Sequence, residues 1–352
     1  MNNPTQSNLP AVTRPRERRR RRIGWGTVHA LLFRGACFSL LFLAGLWSVG
    51  AMLYAFRCPD TVTAVYAGIL LALWFSALRR RRWLYVLGAI ELTVAGLFFA
   101  MTPERAFAGT DWQAPWGRVP TVEFVGSRVL LHDVRDFHYR SADDYDIRYL
   151  DFEFDPAAVR TVDIAVSHWD GMRAIAHTML SFGFSDGRQL VVSMETRLPK
   201  GATQGFLPGI YHQYELIMVL GTEEDLFKLR TDFRREDLYL YRTNATPEQA
   251  RELLEYVVLR AESLSERPEF YNSVTRNCTT SLAPLLRVID PTFSGDIRLL
   301  FNGYSDELLF ELGYLKHRED ETFAELKKRR SADFCLAQPS KKSYSDRLRT
   351  DL

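Results

Sequence analysis

The chain has 352 residues, 47% of them apolar, and 45 Lys and Arg against 43 Asp and Glu, for a formal net charge of +2. Its four cysteines, Cys37, Cys58, Cys278 and Cys335, are too few and too scattered for a disulfide framework, although a bridge from Cys278 to Cys58 or Cys335 stays open. There is no CxxC and no His/Cys cluster at zinc spacing, so no metal and no cofactor is expected.

The near-neutral total hides an asymmetry. "RPRERRRRR" (Arg14 to Arg22) lies in an Arg-rich N-terminal segment, residues 1–29. Gly35 to Phe56 and Thr61 to Leu78 carry no charge, and Trp83 to Met101 is broken only by Glu91. Each run is long enough to cross a bilayer core of about 30 Å, which predicts three transmembrane helices within residues 30–101. Arginines flank the first span on its N-terminal side and the second and third at Arg79 to Arg82. Positive residues beside a span stay on the cytoplasmic side, so the N-terminus is expected in the cytoplasm of an inner-membrane protein, with the chain leaving the third span on the periplasmic face. The same reading explains the arginine run without a nucleic-acid partner. The first span is too long for an ordinary signal peptide. Glu91 is read as facing the other two helices, with a proton-relay or headgroup role as the alternative.

Residues 102–120 form a linker whose Trp112 and Trp116 suit either interface anchors or packing on the domain. Residues 121–330 have the mixed pattern and length of one domain with a sizeable core. Residues 331–352 read as a polar, loosely ordered tail.

Within the domain, Ala174 to Arg197 reads as a hairpin: two alternating runs joined by Ser185 to Gly187, a three-residue loop with glycine placed for the left-handed position. That loop pairs Phe184 with Arg188, Phe182 with Leu190, Leu180 with Val192 and Thr178 with Met194 on one face. On the other face it pairs Met179 with Ser193 and His177 with Glu195. The domain also offers His132, His138, His168 and His212, with His317 near the tail, but His177 is the informative one. Next, Thr246, Pro247 and Gln249 give a helix start with a capping box, followed by apolar residues at helical spacing to Leu264.

"YNSVTRNCTTSLAPLL" (Tyr271 to Leu286) then offers Asn277 as N-cap of a helix starting at Cys278. A thiol in a first turn meets the positive end of the helix dipole and free amides, which favour a thiolate and an oxyanion; Asn277 and Thr279 are the supporting candidates. Pro284 either kinks that helix or delays its start. A lone cysteine is more often an inert core residue, and a strand histidine opposite glutamate is more often an ordinary ion pair. Their conjunction in one domain favours Cys278 as nucleophile, His177 as base and Glu195 as its orienter. His168, Trp169, Arg197 and Tyr271, beside the two blocks, are candidate substrate contacts.

The blocks "HDVRDFHYRSADDYDIRYLDFEFD", "SHWDGMRAIAHTMLSFGFSDGRQLVVSMETR", "YELIMVLGTEEDLFKLRT", "DLYLYRTNATPEQARELLEYVV" and "FYNSVTRNCTTSL" resemble, in order, the periplasmic domain family named after the lipoprotein N-acyltransferase Lnb. The resemblance runs over roughly Val129 to Leu312. It implies an α+β, permuted papain-like (NlpC-like) thiol-enzyme domain, here preceded by three transmembrane helices, with histidine ahead of cysteine in the chain. It also implies a membrane phospholipid as acyl donor, a Cys278 thioester, and a lipoprotein N-terminal amine as acceptor. One departure is that the spans precede the domain here, whereas in the Lnb enzymes they follow it. A cysteine hydrolase (peptidase, amidase or phospholipase) and a non-catalytic membrane-anchored binding domain are the competing functions.

Overall fold

The computed structural model describes residues 25–350 apart from 103–106, 108, 170, 172, 294, 300 and 338–339. The arginine run at 14–22 lies outside the described residues. The chain divides into two units, 1–49 with 61–95, and 50–60 with 96–352.

Three long helices, α1 (Trp25–Gly50), α2 (Asp60–Arg79) and α3 (Arg82–Met101), make up most of the first unit, and the C-terminal turn of α3 from Gly96 on belongs to the second. Leu32–Ala55, Asp60–Arg79 and Arg82–Met101 are long and apolar enough to cross a membrane, with mean hydropathies of 2.0, 1.8 and 1.9. Large apolar side chains such as Leu40, Phe75 and Leu92 point outward, as lipid-facing positions do, while Leu70, Ala77 and Leu87 pack inward with Phe38 and Trp74. Glu91 is buried, with a carboxyl oxygen in the space beside Gly45 of α1; it faces the other helices, as expected.

The second unit is organised by a nine-stranded sheet. β1 (Thr121–Val125) and β2 (Arg128–Arg135) form a hairpin, β3 (His138–Tyr139) and β4 (Tyr145–Asp146) a separate two-stranded ribbon, and β5 (Tyr149–Phe154) returns onto β2. β6 (Val159–His168), β7 (Ala176–Phe184) and β8 (Gln189–Arg197) make an antiparallel meander. After the short α4 (Phe206–Ile210), β9 (Glu215–Gly221) inserts between β8 and β2, and beyond α5 (Glu223–Leu226) the strand β10 (Asp237–Arg242) pairs with β6. Then come α6 (Pro247–Glu266), β11 (Glu269–Phe270) on β9, α7 (Cys278–Ile289), α8 (Ser305–Glu311), α9 (Phe323–Arg330), α10 (Ala332–Leu336) and α11 (Tyr344–Leu348).

The register of β7 on β8 pairs Met179 with Ser193, Leu180 with Val192 and Phe182 with Leu190, the pairing expected from a three-residue loop. Gly187 takes φ +86° in that loop, and the Phe184 amide closes it on the Arg188 carbonyl at 3.0 Å. Successive strand residues point to opposite faces, and here both faces are buried. Val162, Ile164, Leu180, Phe182, Val192 and Met194 join Leu253, Leu254 and Val257 of α6 in one cluster. Ala165, Met179, Val191, Ile217 and Leu240 meet Leu226 of α5, Ala332 of α10 and Leu348 of α11 in the other. α6 starts with the expected capping box, Thr246 accepting from the Gln249 amide and Gln249 answering the Thr246 amide.

The C-terminal stretch differs from the expected loose tail. Ala332 and Leu348 are buried in the second cluster, and Arg349 reaches Asp163 and Glu223 beneath the sheet. Two buried carboxylates need cations, and the polar composition of this stretch supplies one while its sparse apolar residues cover the face.

Candidate active site

Cys278 is the first residue of α7. Asn277 caps this helix: its side-chain oxygen accepts the Thr279 and Thr280 amides at 3.1 and 3.0 Å, and Thr280 Oγ1 accepts the Asn277 amide at 2.9 Å. The helix runs on through Pro284, so it starts at the thiol and is not delayed by the proline. The cap has a consequence for Asn277 and Thr279 as anion supports, because the Thr279 amide is already taken. The Cys278 amide, one of the donors a helix start leaves unpaired, has no acceptor among the described residues. Thr279 Oγ1 lies 3.7 Å from Cys278 Sγ and bonds to Thr178.

A residue with no sequence signal completes this side. Asn302, in a 3-10 turn, accepts the Ala176 amide at 2.8 Å and donates both to the Ala176 carbonyl and to Cys278 Sγ, the latter at 3.3 Å. Its side chain is thereby fixed on β7 with one N–H aimed at sulfur.

His177 and Glu195 come together as expected, but through a third residue. His177 Nε2 lies 2.6 Å from Ser193 Oγ, and Ser193 Oγ donates to Glu195 Oε1 at 2.7 Å, while the direct His177–Glu195 separation is 3.8 Å. Ser193 sits two residues from Glu195 on the same strand face, a relation legible in the alternation. Glu195 also accepts Trp116 Nε1 at 2.5 Å and lies 3.5 Å from Arg230 Nη2. Burial alone would raise the Glu195 carboxyl; Arg230, Arg135, His177 and the Trp116 hydrogen bond outweigh it and hold it down to about 2. Since an ionised carboxylate only accepts, the Ser193 proton points to Glu195, and Ser193 must accept from His177 Nε2–H. The basic nitrogen of His177 is therefore Nδ1. Burial, then Arg230, depress the imidazole to about 3, with Glu195 opposing.

These two groups line one cavity of about 600 Å³, shared with Trp169, Tyr271, Arg230 and Asn302. They enter it from different faces of the sheet. His177 alternates with Met179 of the second core cluster, whereas Cys278 packs on the first, and no hydrogen bond joins thiol to imidazole. Burial pushes the Tyr271 phenol up to about 12, with the nearby Cys278 adding to it. Of the four candidate substrate contacts, Trp169 and Tyr271 line this cavity. The other two do not. Arg197 is consumed by Glu215 at 2.7 Å and by the Trp116 and Gly117 carbonyls, because the linker folds back over β8. This pins Trp116 on Glu195, and Trp112 stacks under the same guanidinium at 4.3 Å, so both tryptophans pack on the domain. His168 stands edge-on to Tyr239 and is not among the cavity's lining residues. All four cysteines are free.

No curated protein and no solved structure matches the chain. Three helices apolar enough to span a membrane and a following sheet domain make this a membrane-anchored protein. Residues 145–303, which run from β4 through His177 and Cys278 to Asn302, match the family described as the Lnb N-terminal periplasmic domain.

Proposed function

We propose that the protein is a Cys-His acyltransferase of the inner membrane, with a cytoplasmic N-terminus and a permuted papain-like periplasmic domain. It would move an acyl chain from a membrane phospholipid, by way of a Cys278 thioester, to a lipoprotein N-terminal amine. The observation that carries this is a helix-start thiol held by an amide donor, facing the same cavity as an imidazole tied through Ser193 to an ionised carboxylate.

In the first half-reaction Sγ attacks the ester carbonyl carbon while its proton passes to His177 Nδ1, through one water or after rotation of the ring. The approaching sulfur charge raises the depressed imidazole, which couples proton uptake to formation of the C–S bond. The Cys278 amide would donate to the oxyanion, while Asn302 Nδ2 holds the sulfur. The imidazolium then protonates the glycerol oxygen as the C–O bond breaks and lysophospholipid leaves. In the second half the amine attacks the thioester; the C–N bond forms, the C–S bond breaks, and the amine proton returns to sulfur by way of His177.

Mass spectrometry of lipoprotein N-termini, with and without the protein, tests the transfer. An N-acylated terminus only in its presence, lost in Cys278→Ala, is expected. A free α-amine in both samples, with lysophospholipid and fatty acid released, would assign a hydrolase, and an unchanged Cys278→Ala a non-catalytic domain.

A further inference from the structure

The mouth of the cavity carries exposed apolar surface. Ile175 and Phe206 line it, and Leu207, Val274 and Phe301 adjoin the lining residues Phe206, Ser273 and Asn302 in the chain. These five side chains are between 41% and 63% exposed. Ser273 Oγ donates to the Phe206 carbonyl at 2.8 Å, tying two of the segments into one rim. Soluble domains leave such clusters uncovered only where something else covers them.

The covering surface is indicated by the other end of α4. Tyr211, the residue after this helix, stacks on Tyr54 at 5.6 Å, and His212 meets Phe98 at 4.9 Å. Tyr54 and Phe98 stand near the C-terminal ends of the first and third apolar helices. α4 has five residues and spans only about 7.5 Å. Tyr54, Phe98 and α4 all belong to the second unit, so the exposed start of α4 lies close to these two aromatic residues. We infer that the rim of Ile175, Phe206, Leu207, Val274 and Phe301 seats in the interfacial layer of the bilayer, so that a lipid enters the Cys278 cavity sideways without crossing water. Aromatic and aliphatic side chains on a short helix suit that layer. The inference rests on the acyl-transfer reading only for the use of the rim, not for its contact with lipid.

The test uses the full chain in phosphatidylethanolamine and phosphatidylglycerol vesicles. Leu207→Ser with Val274→Ser alters the rim without touching a cavity-lining residue. Loading of Cys278 from vesicle lipid should fall about tenfold, while loading from water-soluble p-nitrophenyl butyrate keeps the wild-type rate. Unchanged loading from lipid, or an equal loss with both donors, overturns the inference. A second measurement needs no chemistry: brominated phospholipid should quench the added fluorophore of Leu207→Trp but not that of Phe334→Trp, which is exposed on α10. Absence of quenching at 207 overturns the rim. A wild type that loads from the soluble ester and never from lipid, with Leu207→Trp quenched, removes the lipid-donor reading and leaves the rim in place.

Discussion

At the scale of single residues, two side chains decide how the thiol and the imidazole behave. Asn302 presents one N–H to Cys278 Sγ because its other polar atoms are locked on the Ala176 backbone. A hydrogen bond to a charged group is worth about 1.5–3 kcal/mol. Asn302→Leu keeps the size and removes that donor without adding charge, so alkylation of Cys278 by iodoacetamide at neutral pH should slow about tenfold or more; an unchanged rate would show that the sulfur draws nothing from it. His177 is depressed from 6.5 to about 3 by burial and Arg230, and the sign has two consequences. As a base it stays unprotonated, so loading of Cys278 should hold its rate at mildly acidic pH, and Arg230→Met, which removes one cause of the depression, should move the acid limb upward. A wild-type limb with its midpoint near the ordinary histidine value would overturn this. In the unfolded chain the same imidazole takes up a proton as pH falls below 6.5 while the folded one does not, so this group withdraws stability between about 6.5 and 3 and costs nothing above. The stability of His177→Gln should fall less steeply across that window.

At the scale of elements, the β7–β8 hairpin was legible because loop length and alternation are both local and both constrain the register. Gly187 supplies the left-handed residue at φ +86°, and a Cβ there would meet nothing within 4 Å. Gly187→Ala should therefore cost only the backbone term, about 1 kcal/mol, seen as a lower unfolding midpoint with unchanged Cys278 alkylation. A neutral result would mean the turn relaxes to another form. The same alternation held Ser193, two residues from Glu195, as the group that joins it to His177. Which sheet face α7 packs on is a different matter. It depends on a contact between segments a hundred residues apart, Thr178 with Thr279, and no local pattern encodes it; hence the thiol and imidazole could be predicted to share a site but not to approach from two faces. Arg197 and Trp116 were misread or left open for the same reason, since the linker's return over β8 is a tertiary event. Asn302 lies outside every periodic element, 24 residues beyond Cys278, and only the fold reveals it.

At the scale of the whole molecule, the C-terminal turns close the sheet face opposite α6 and set the charge balance beneath it. Asp163 of β6 and Glu223 of α5 are buried at 0% and 2% exposure. Arg349 donates to Asp163 at 2.8 Å and to both Glu223 oxygens, at 2.8 and 2.5 Å, while Arg242 serves Asp163 from β10. One guanidinium near the C-terminus thus joins β6, α5 and α11, and no other described cation pairs with Glu223. A buried pair adds little over an apolar replacement, but removing one partner strands the other charge and costs about 3–5 kcal/mol. Set against a typical total of about 5–15 kcal/mol, that is a large share. Arg349→Met should accordingly lower the thermal midpoint of the full chain in detergent and expose the second unit to protease. Arg349→Met with Glu223→Gln, which neutralises the stranded carboxylate, should recover most of the loss. If the double variant is no more stable than Arg349→Met alone, the stretch stabilises through the packing of Leu348 and Ala332 on the second cluster, and the buried charges are not what holds the C-terminus in place.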